Sequence, residues 1–208
     1  MSLIGWLRSF FQAEHPVGGT PTMIPPARRQ DYPWFDRIDG DDLEQGDILE
    51  NCPVFLPPED LTLPDPDKPL NVNFKWEDRD LIVMSQSCDL AKGRPKVDDV
   101  LLCAVWKRSE LTNTPLAKDD GMEGARQGRF PGFHLLAACG ISGFEREVRI
   151  VDFRRVYSLP LAFVRNKAMS ANRIRLLPPY REHLSQSFAR FFMRVGLPVD
   201  IPSFTSKK

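Results

Sequence analysis

Hydrophobic positions along this chain follow two periods. Leu81, Ile82, Val83 and Met84 form an unbroken apolar run, after which Ser85, Gln86, Ser87, Cys88 and Asp89 are small or polar. Such a run predicts a strand covered on both faces whose far end leaves the core and presents side chains to solvent. Val100 to Val105 predicts a second buried strand. Leu70, Val72, Phe74 and Trp76 alternate with polar residues, the pattern of a strand with one buried side. The polar run Glu77, Asp78, Arg79, Asp80 then predicts a tight turn into the central strand, and with it a hairpin. Gly46 predicts a turn into a strand from Ile48 to Phe55, and further strands are expected over 133–137, 147–153 and 154–159.

The helical period appears at both ends. Leu3, Ile4, Leu7, Phe10 and Phe11 predict a short amphipathic helix over residues 1–11, which must dock on something to be stable. Residues 12–33, with five prolines and Gly18–Gly19, read as its tether. Over 178–195, Pro178 and Pro179 suit a helix start, while Gly196 and Pro198 suit its end. Leu184, Phe188, Phe191, Phe192 and Val195 then predict a core-facing stripe, and His183, Ser187, Arg190 and Arg194 a solvated one. The glycine-rich stretch 107–131 predicts a flap with a short helix over 109–118, and 199–208 a tail. The sum is a mainly β (α+β) domain over 34–198 with long inserts, a packed C-terminal helix and a tethered N-terminal one.

Composition narrows the classes. No apolar run approaches the roughly 20 residues of a membrane-spanning helix, and the opening residues lack the features of a secretory signal, so a cytoplasmic location is expected. Cys52, Cys88, Cys103 and Cys139 stand singly, which predicts reduced thiols and neither a disulfide framework nor a metal or other cofactor. The net charge of zero conceals segregation: residues 31–80 carry 15 acidic and 4 basic residues, and residues 146–194 carry 11 basic and 3 acidic. Such halves either neutralise each other or leave a basic surface for an anion.

Two chemistries compete. Cys88, at a strand end beside Asp89, is a nucleophile if His134 takes its proton, and otherwise a small residue at the edge of the core. Arg154, Arg155, Arg165, Arg173 and Arg175 offer guanidinium forks suited to phosphate, with Trp106, Tyr157 or Phe163 to stack a base.

The segments Gly46-Asp47-Ile48, Arg79 followed by Leu81 to Ser85, Val100 to Val105, and Val151 to Val156 together resemble the PemK/MazF family of toxin ribonucleases. The pattern covers residues 46–195 discontinuously. The resemblance implies an SH3-like, partly open β-barrel and a bacterial toxin or defence-associated protein. The expected ligand is RNA or another phosphate-bearing molecule in a barrel groove that in this chain is rimmed by Arg79, Ser85, Cys88 and Arg154, with Gln86 and Arg155 as further ligand contacts. Cys88-Asp89 stands where the family has a different loop. The resemblance also implies metal-independent RNA cleavage with Arg79, Ser85 and Arg154 near the reacting phosphate. Asp80 stands where the family has proline. A cysteine hydrolase built on Cys88 and His134 is the second class; the third is an interaction module that recruits a protein through residues 3–11, with homodimerisation also open to it.

Overall fold

The computed structural model describes residues 32–63, 73–112 and 114–193. The expected N-terminal helix, nearly all of its tether and the 199–208 tail lie outside these residues. The strands are β1 (Phe35–Ile38), β2 (Asp47–Leu56), β3 (Lys75–Val83), β4 (Asp99–Lys107), β5 (Phe133–Leu136), β6 (Arg149–Pro160) and β7 (Arg173–Leu176). They form one antiparallel sheet in the order β1-β7-β2-β3-β4-β6-β5, open between β1 and β5. The helices are α1 (Asp119–Arg126), α2 (Leu161–Met169) and α3 (Tyr180–Phe192). The expected mainly β architecture is present. No helix among the described residues is long and apolar enough to cross a membrane.

The unbroken apolar runs are explained by burial on both sides of the sheet. From β3 and β4, Ile82, Met84, Cys103 and Val105 join Phe153 and the Leu184 side chain of α3 in one core. Their neighbours Leu81, Val83, Val100 and Leu102 join Leu161, Val164 and Ala168 of α2 in another. A smaller cluster seats Met122 and Ala125 of α1 against Ile150. In α3, Leu184 is buried and Phe188 and Phe191 lie against the core, while Phe192 points to solvent.

Several expectations are corrected. Residues 77–80 are not a turn: β3 runs through them, with Glu77, Asp78 and Arg79 opposite Val54, Pro53 and Cys52. Pairing of β3 with β4 begins only at Asp80, so the charged half of β3 lies on an arm bonded to β2 alone, where charge is tolerated. Phe74 and Trp76, on that arm, are 53% and 61% exposed and not half of a buried face. The helix of the 107–131 insert is at 119–126, preceded by two single 3₁₀ turns.

Two bulges aim side chains. Asn51, with φ of 51°, interrupts β2 between Leu49 and Cys52, and its N–H donates to Asp80 Oδ1 at 3.0 Å. In β6, Asp152 faces Ala104 and Val156 faces Cys103, so Phe153, Arg154 and Arg155 form an excursion opposite β4.

Candidate functional site

Ser85 to Leu90 form a turn held from three sides. The Leu101 N–H donates to Ser85 Oγ at 2.8 Å, so this hydroxyl completes the last rung between β3 and β4. Ser87 Oγ accepts from the Gln45 N–H at 3.2 Å, and Gln45 Nε2 donates to the Met84 carbonyl at 2.8 Å. Arg165 donates to the Leu90 carbonyl at 3.0 Å. Cys88 is the exposed thiol of the turn; its Sγ lies 3.5 Å from Asp89 Oδ1, which also pairs with Lys96 at 3.2 Å. Gln86, Ser87 and Cys88 face Arg181 and Ser185 of α3 across a cleft of about 400 Å³ whose floor includes Gln45.

His134 is elsewhere. It lies on β5 with its ring 6.3 Å from that of Phe153. Burial, followed by the charge of His183, pulls its pKa from 6.5 down to about 4, so the imidazole is neutral at physiological pH. The structure does not bring Cys88 and His134 together: among the described residues the thiol's hydrogen bond is to Asp89.

The arginines divide into internal and surface groups. Arg173 and Arg175 are buried and grip Asp47, itself fully buried. Arg173 Nε donates to Asp47 Oδ2 at 2.9 Å and Arg175 Nη2 to the same oxygen at 3.0 Å, while Arg175 and Arg181 share Glu44. These two candidate phosphate ligands are therefore structural. Arg154 is exposed but committed as well: the buried Asp152 carboxylate takes its Nε and Nη2 at 2.8 and 2.9 Å, and the guanidinium carbon lies 4.2 Å from the Phe133 ring centroid.

Arg79 and Arg155 converge. Their guanidinium carbons lie 5.0 and 5.5 Å from the Trp106 ring centroid, Arg79 from β3 and Arg155 from the β6 excursion. Arg79 and Trp106, without Arg155, line an open cleft of about 190 Å³ together with Lys107, Asp78, Asp80 and Glu110. Arg79 pairs with Glu77, yet its buried Nε has no hydrogen-bond partner. Arg79 lines one cleft and Gln86 and Cys88 another, while Ser85, past the end of β3 at Val83, lines neither, so the structure does not gather these residues into the single groove expected.

Sequence reasoning named Arg79, Arg155 and Trp106 separately and missed Lys107, Glu110, Gln45 and Arg181. Trp106-Lys107 at the end of an apolar strand was the available signal for the first cleft. Gln45 carried none, because only the tertiary fold brings it under the turn. In comparisons with known proteins, the chain matches no family model and no curated protein is significantly similar to it.

Proposed function

We propose that the protein binds RNA or another phosphate-bearing ligand at the cleft lined by Arg79, Trp106 and Lys107, with Arg155 set against the same indole. The observation that carries this reading is the meeting of two guanidiniums from different strands on one indole, with a buried Arg79 N–H left without an acceptor. Guanidiniums supply the fork that phosphate oxygens accept, and an indole beside them is a stacking platform for a base. The resemblance to the PemK/MazF toxins, with Arg79 at the arginine position, adds to it. In this reading Asp78 and Glu110 are proton acceptors for a 2′-hydroxyl, and Arg79 and Lys107 offset charge on the phosphorane, which is what metal-independent cleavage requires.

The test is anisotropy of a labelled single-stranded RNA at increasing salt. R79A/R155A should weaken binding about tenfold or more and reduce the magnitude of the log–log salt slope by about 0.7 for each phosphate contact removed. Cys88→Ala should leave binding unchanged. Absence of RNA binding by the unmodified chain at low salt, or equal binding by the double variant, would exclude this reading.

A further inference from the structure

Gln45 is only 6% exposed, yet it lines the cleft beneath the 85–89 turn. Its backbone N–H and its carboxamide nitrogen are both used, on Ser87 Oγ and the Met84 carbonyl. Those two bonds hold the carboxamide in place. Its Oε1 accepts no hydrogen bond among the described residues and is not among the buried side-chain atoms without a partner, so in a residue that lines the cleft it remains an accessible acceptor for a donor. Ser87 Oγ already accepts a hydrogen bond, which leaves its hydroxyl hydrogen free to donate.

The charges around the cleft are balanced. Arg181 donates to Glu44 at 2.7 Å and lies 3.4 Å from Glu182, so its cation meets two carboxylates and offers an anion little net attraction. Gln86, Ser185 and Gln186 complete a neutral wall. We propose that this cleft recognises an amide edge, a neutral group in which an N–H donor sits beside a C=O acceptor. Gln45 Oε1 takes the N–H, and the Ser87 hydroxyl donates to the carbonyl. Primary carboxamides and the nucleobases uracil and guanine share that edge. The site uses no residue of the Arg79 cleft and stands or falls apart from the phosphate reading.

Cys88 stands at the mouth of the cleft and reports on it, because Cys52, Cys103 and Cys139 are buried. Iodoacetamide is the probe: Sγ displaces iodide, an S–C bond replaces the C–I bond, and the thiol proton passes to solvent. Alkylation of Cys88 in the full chain is followed by mass spectrometry with uridine or guanosine in one arm and acetamide or glutamine in the other, and with glutathione as a control thiol. One arm should slow Cys88 about threefold or more near saturation without slowing glutathione. Slowing by nucleosides alone assigns a nucleobase ligand, and slowing by acetamide or glutamine alone assigns a carboxamide. Gln45→Leu should abolish the protection. Since Gln45 also braces the turn, Gln86→Ala on the exposed rim serves as a second variant and should weaken it. No protection in either arm, or full protection retained by a folded Gln45→Leu or by Gln86→Ala, overturns the proposal.

Discussion

His134 and Cys88 have opposite surroundings, and the consequences are measurable on each. Burial and the neighbouring His183 charge hold the His134 pKa at about 4, against 6.5 for the free side chain. Between those two values the unfolded chain carries a proton that the folded chain does not. Stability from this residue is therefore complete above pH 6.5, falls as the pH drops, and levels off below about pH 4. The full span is about 3 kcal/mol. Urea midpoints measured across this range should show that His134→Leu flattens the acid slope. An unchanged slope would remove His134 from the account. Cys52 and Cys103 have their thiol pKa values pushed up by burial to about 11 and about 12, which keeps them protonated and unreactive while Cys88 stays exposed.

Among the elements, α1 depends on a residue that argues against a helix. A Cβ on Gly121 would come within 1.8 Å of the Pro115 carbonyl oxygen, so the helix crosses the preceding 3₁₀ turn too closely for any side chain. Gly121→Ala should cost about 1–3 kcal/mol, although alanine is the better helix former; a thermal melt with unchanged stability would disprove the close approach. That same Gly121, with Gly124, hid α1 in the sequence. The cores of β3, β4 and β6 were legible because their apolar residues face two sides of a covered sheet. β7 was not legible: Arg173-Ile174-Arg175-Leu176 reads as a half-exposed basic strand, and only the buried Asp47 makes all four residues internal. α2 follows β6 directly at Leu161 with no side-chain cap to announce it. The candidate site was half legible. The polar turn could be seen in the run from Ser85 to Asp89, but the cation pair on Trp106 arises from a bulge, and bulges leave no pattern in one chain.

Across the whole molecule, the segregated charges neutralise each other inside it. Asp47 meets Arg173 and Arg175, Glu44 meets Arg175 and Arg181, and Glu50 meets Arg146 and Arg149, each pair joining the acidic segment to the basic one. Removing one partner leaves buried cations without compensation. Asp47→Asn should therefore lose about 3–5 kcal/mol by urea denaturation, and a loss near zero would mean that these guanidiniums find water. The Asp47 contacts also span nearly the full domain: Arg173 follows by 126 residues and Arg175 by 128. During vectorial synthesis β2 emerges long before the strand that seals its flank. The nascent chain thus carries an unmatched carboxylate on a half-built sheet, and this seam can knit only after β7 has been made.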